Sequence, residues 1–137
     1  MIELKRDLMV ALEAGDKDAV LTALQQAIEL EHSTIPPYMY ALYSIVPGRN
    51  EAIAGIIESI VIEEMLHFVL ASNVLNALGG SPVLDKPDFI PSYPGPLPGS
   101  VETGLSVGLE PCSLDLVTNV FMEIEQPEEM TGRSLIE

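Results

Sequence analysis

Glu64 and His67 stand three residues apart in the run Ile62-Glu-Glu-Met-Leu-His67. On a helix this spacing sets a carboxylate and an imidazole side by side, one turn apart, where both can hold a single ion. That donor pair suits iron, manganese or zinc. Ile53, Ile57, Ile60, Ala71, Val74 and Leu78 fall on the same helical face, in alternating steps of four and three. A carboxylate buried there is costly unless it is paired or bound to metal. Leu24, Ile28, Glu31 and Ile35 repeat the pattern and put Glu31 on a second apolar face. A Glu on a facing helix can bridge two ions, so Glu31, Glu64 and His67 are the predicted metal ligands.

Other polar residues are weaker candidates. His32 also follows a Glu at three residues, Glu29, but the two lie off the Leu24, Ile28, Ile35 stripe and are reserve ligands, expected first as a surface or supporting pair. Glu63 points about 100° away from Glu64 on the helix and is expected in solvent or supporting the ligands. Glu123 and Glu125 near the end of the chain are read as a solvated face, with an extra ligand as the alternative. Tyr38, Tyr40 and Tyr43 are expected to pack. No residue is assigned a catalytic role, and no nucleophile elbow, P-loop or dinucleotide fingerprint occurs.

The elements that must position these groups are helical. Ile2 to Ala14 has helical spacing and stops at Gly15. Asp16 caps a second helix that continues toward Leu42, with a kink or break expected near Thr34 to Tyr38 because Pro36 and Pro37 lack donors. The turn Pro47 to Asn50 ends it. A third helix runs from Glu51 to Leu78 and stops at Gly79-Gly80. Residues 81–112 hold seven of the eleven prolines and are predicted to form an extended connection, strapped to the surface by Phe89, Ile90, Tyr93 and Leu97 or covering a site. Ser113 caps a last helix, Leu114 to Glu125, ended by Pro127. Residues 1–137 are read as one domain.

Composition narrows the partners. The 137 residues carry 6 Lys and Arg against 21 Asp and Glu, a formal charge of −15 that repels nucleic acid and anionic lipid surfaces. Cys112 is the one cysteine, so neither an intrachain disulfide nor a Cys-based zinc framework is possible, and Cys112 is read as structural. No apolar run reaches spanning length and no secretory leader is recognised, which points to the cytoplasm.

The run Ala27-Ile-Glu-Leu-Glu-His-Ser-Thr-Ile-Pro-Pro-Tyr-Met-Tyr-Ala-Leu42, with Ile62-Glu-Glu-Met-Leu-His67 and Gly79-Gly-Ser-Pro-Val-Leu84, resembles the ferritin-like domain of iminophenyl-pyruvate dimer synthase and its bacterial relatives. Tyr93-Pro-Gly-Pro-Leu-Pro98 and Phe121-Met-Glu-Ile-Glu-Gln-Pro-Glu128 extend the likeness over about residues 20–130. The resemblance implies an all-α, four-helix ferritin-like bundle. It also implies a di-iron site in which one helix supplies Glu31 and the next Glu64 and His67. The family's second half, another Glu helix and another E-x-x-H helix, would lie beyond Glu137. Either the natural chain is longer, or two copies pair and each gives Glu31, Glu64 and His67 to a shared site; the homodimer is the expectation taken forward.

Three functions follow from this reading. An oxidase would act on small amine or imine substrates, as the synthase resemblance implies, and would need an open pocket by the site, for which the 81–112 connection is one candidate cover. An iron-binding or storage protein would oxidise iron itself. A metal-free dimeric scaffold would use Glu64 and His67 for hydrogen bonds only.

Overall fold

A computed structural model describes residues 10, 11, 13–100 and 104–126. The expected first helix lies outside these residues, apart from Val10, Ala11 and Glu13, which are helical. Two long helices dominate the rest: α1, Lys17–Ser44, and α2, Glu51–Ala77. They are antiparallel, since Ile28 packs with Leu75 while Tyr38 packs with Ile57 and Val61. Asp16 caps α1, its carboxylate accepting from the amides of Asp18 and Ala19 at 2.9 and 3.3 Å. Asn50 precedes α2 in a left-handed conformation, φ 53°, without a side-chain cap bond. At the other end Gly79 takes φ +83°, and the amides of Gly79 and Gly80 close onto the carbonyls of Asn76 and Leu75.

The prolines do not break α1. Pro36 and Pro37 deprive the carbonyls of His32 and Ser33 of their usual helical donors. Ser33 is repaired from outside, because the Tyr93 hydroxyl donates to its carbonyl at 2.6 Å. Tyr93 is half-buried, and burial pushes its phenol up to about 12, so it remains a donor. Tyr93→Phe removes this donor and keeps the ring; stability is expected to fall by about 1–2 kcal/mol in urea melts, and an unchanged midpoint would mean that the Ser33 carbonyl is satisfied some other way.

Tyr93 belongs to a connection that runs along α1 as a strap. Gln25 pairs its amide with the backbone of Val83, donating and accepting at 3.0 Å. Phe89 lies on His32, Tyr93 reaches Ser33, and the Cys112 amide donates to the Ser44 hydroxyl at 2.7 Å. The strap therefore advances in the same direction as α1. Its described residues contain two short 3₁₀ turns, Pro87–Phe89 and Pro98–Ser100, and one antiparallel bridge between Gly95 and Val107. Phe89, Leu97 and Val107 are buried, but Ile90 is 71% exposed, contrary to expectation.

Ser113 caps the last helix by accepting from the Leu116 amide at 3.1 Å. This helix is not regular: Leu114–Leu116 is α-helical, Val117–Phe121 opens into a π-turn, and Met122–Ile124 closes again. The three pieces, residues 114–124, are called α3. A π-turn inserts one residue and rotates everything after it by about 100° relative to an α-helix.

Two apolar clusters result. Tyr38, Ala41, Ile57, Val61, Leu116 and Phe121 form one; Ile28, Leu75 and Phe89, flanked by Phe68 and Ala71, form the other. The polar residues Glu31, Thr34 and Glu64 lie between them along the α1–α2 seam. The buried stripe of α2 is Ile57, Val61, Glu64 and Leu75, rotated from the predicted one. Ile53, His67, Val74 and Leu78 were expected on the core face but emerge on one exposed flank. Ile62, Met65 and Val69 are exposed on the other. An all-round apolar helix is ordinarily buried, so α2 is only partly covered among the described residues.

Candidate metal centre

Glu31 comes from the middle of α1, Glu64 and His67 from the middle of α2. One ligand atom from each lies within 4.8 Å of the other two. Glu31 Oε2 and His67 Nδ1 are 3.5 Å apart, long for a hydrogen bond but close to the roughly 3.4 Å between two atoms each held about 2.1 Å from one tetrahedral ion. Glu64 is 8% exposed and His67, by its side chain, 52%. The group is thus a carboxylate floor with an imidazole at its rim, open toward the uncovered flank of α2. His67 was expected beside Glu64 in the core; the rotation of the buried stripe places it at the edge instead.

Thr34 fixes the floor. Its hydroxyl stands 2.6 Å from Glu64 Oε2 and 2.9 Å from the Glu31 carbonyl, and its single proton favours the carboxylate as acceptor. Burial, then a shared proton and charge repulsion from Glu64, then repulsion from Glu125, push the Glu31 carboxyl up to about 8. Two carboxyls crowded into one partly dry site share a proton, and a cation is the other way to relieve them. The donors present, two carboxylates and an imidazole, therefore fit a divalent metal ion.

Glu125, at the C-terminal end of α3, acts on this group from outside it. The fully buried Tyr38 donates to Glu125 Oε1 at 2.8 Å, and its ring packs on Phe121 at 4.3 Å between centroids. Burial and the Glu125 carboxylate hold the Tyr38 phenol well above its usual range. The sequence reading left Glu125 on a solvated face; it is exposed, yet its carboxylate is tied to Tyr38 and its charge is felt at Glu31. Tyr38 packs as expected, whereas Tyr40 and Tyr43 are exposed. Glu63 is solvated, as read, and Glu123 accepts from Gln126 at 3.1 Å.

The sequence profile of the family described as Ferritin-like matches residues 24–136. The chain belongs to the ferritin-like family. Comparison with the curated proteins and with the solved structures gives no match. The ferritin-like match includes α1 from Leu24, all of α2, the strap and α3, and so every residue of the Glu31, Glu64, His67 group.

Within this ferritin-like chain the reserve ligands Glu29 and His32 belong to no group of three metal-type ligands among the described residues. Glu29 accepts from Gln25 at 3.0 Å. His32 is packed against Phe89 and Phe68, ring centroids 4.5 and 6.1 Å away, and its Nδ1 is buried without a hydrogen-bond partner among the described residues. Burial lowers its proton affinity. No described helix is long and apolar enough to cross a membrane.

Proposed function

We propose that this ferritin-like protein binds iron through Glu31, Glu64 and His67, with manganese or zinc accepted by the same donors. The single observation that carries the reading is the convergence of three metal-type ligand atoms within 4.8 Å on the seam between two long helices. One copy offers about half the donors of a two-metal carboxylate site. A second copy, placed against the exposed α2 flank that carries His67, supplies the other half and covers Val74 and Leu78 in the same step. The protein works in a reducing cytoplasm, where Cys112 stays a thiol.

Bound iron supplies redox chemistry, here directed at a small amine or imine substrate in the presence of dioxygen or peroxide. The chain's own contribution is to surrender the Glu31 proton, to hold Glu64 in place through Thr34, and to keep the Glu125 carboxylate beside the site through Tyr38. An iron-binding role without an organic substrate uses the same ligands. A metal-free scaffold is favoured by one feature, that a proton and Thr34 already satisfy the two carboxyls.

Metal content per protomer, set beside solution mass, separates these readings. Wild type purified after anaerobic iron addition is expected to be a dimer with about one iron per protomer. Glu64→Ala with His67→Ala is expected to be folded and to lose the metal. A folded wild type that stays metal-free, or a double variant that retains its iron, would sink the site.

A further inference from the structure

Between α2 and α3 lies an apolar groove of about 430 Å³. Ile53, Ile57 and Ile60 line it from α2, Leu114 and Val117 from α3, and Glu125 also lines it. Of the 81–112 connection, which the sequence reading offered as one cover for a substrate pocket, only Cys112 at its end lines this groove. Glu125 is the one charged residue lining the groove, and no Lys, Arg or His lines it among the described residues. The same carboxylate is held by Tyr38 and acts electrostatically on Glu31.

We propose that this groove is a binding site for a small apolar amine, its hydrocarbon body along the isoleucine wall and its ammonium on Glu125. The two halves of the site select differently. The apolar walls favour a desolvated chain or ring of modest size. At Glu125, a carboxylate whose Oε1 already takes the Tyr38 proton offers its remaining lone pairs to a cationic donor, the strongest partner for it. A carboxylic acid would meet repulsion there, and an alcohol of equal length would gain only a neutral hydrogen bond. As the approach path of a substrate the groove rests on the metal-binding reading; as a binding site for amines it does not.

The test uses metal-free protein and three matched probes, hexylamine, hexanol and hexanoate, titrated while backbone amide shifts are followed by NMR. Hexylamine is expected to bind roughly tenfold tighter than hexanol, with hexanoate weakest, and to shift the amides of Ile53, Ile57 and Val117. Glu125→Gln is expected to abolish the advantage of the amine and leave hexanol unchanged, whereas Glu123→Gln, which alters the same net charge outside the groove, keeps it. Val117→Trp should block all three probes. Equal binding of the probes, or an amine preference that survives Glu125→Gln, overturns the proposal. So does a dimer in which groove amides are protected and no probe enters, which would assign the groove to a second copy. In Glu64→Ala with His67→Ala, amine binding is expected to persist after the metal is lost, so failure of either reading is seen separately.

Discussion

Between pH 8 and pH 6 the affinity for a divalent ion is expected to fall by about 50-fold through Glu31 alone. With its carboxyl pushed up to about 8, Glu31 is protonated in the metal-free protein at neutral pH. An ion must displace that proton, so affinity drops about tenfold for each pH unit below the Glu31 titration. Calorimetric titration with Mn²⁺ or Zn²⁺ in buffers of different ionisation enthalpy counts the protons, and about one released from Glu31 at pH 7 is the expected number. Glu31→Gln should bind more weakly and lose this part of the pH slope. An affinity that is flat from pH 6 to 8 would refute the shared-proton account.

The stability of the metal-free protein carries the opposite sign from the usual surface carboxylate. The Glu31 carboxyl titrates near 4.5 when unfolded and about 8 when folded. Over that window the folded state binds more protons than the unfolded one, so stability declines as pH rises. The stabilisation is complete below pH 4.5 and gone above 8, a loss of roughly 2–5 kcal/mol at most. Bound metal should cancel the decline, because it replaces the proton, and Glu31→Gln should flatten it.

The ligand group was legible because helical periodicity and chemistry disagreed at the same places. Glu31 and Glu64 interrupt apolar stripes, and a carboxylate at such a position needs a reason. The rim position of His67 was not legible, since the stripe through Ile53, Ile60 and Val74 is as apolar as the one through Val61, Phe68 and Leu75. Periodicity cannot choose between faces of a helix that is apolar all round. The continuity of α1 through Pro36 and Pro37 was hidden for another reason: the donor that repairs it, Tyr93, comes from a residue sixty positions away. Glu125 was named only as an alternative ligand on a solvated face; it is exposed, and its bond to Tyr38 was not legible because the π-turn at Val117–Phe121 changes the register after it. The signal that existed was Tyr38, a polar-tipped aromatic on the buried stripe of α1 whose hydroxyl required a partner.

Tyr38 is where the core and the site can be taken apart. Tyr38→Ala deletes a fully buried ring that packs on Phe121 and sits among Ala41, Ile57 and Val61, and is expected to cost about 3–5 kcal/mol, a large share of the stability of a domain this size. Tyr38→Phe keeps the ring and removes only the bond to Glu125, whose carboxylate is exposed and can turn to water, so its cost should stay near 1 kcal/mol. The two variants should therefore differ sharply in melting temperature while sharing one defect: Glu125 is no longer held beside Glu31. In Tyr38→Phe the carboxylate swings outward, its repulsion on Glu31 weakens, and the pH midpoint of metal binding should move down. Thermal melts and the metal titration on this variant read the two roles independently. A Phe variant as unstable as the Ala variant would mean that the Tyr38–Glu125 bond holds α3 onto the helix pair, and an unmoved midpoint would mean that Glu125 does not act on the site.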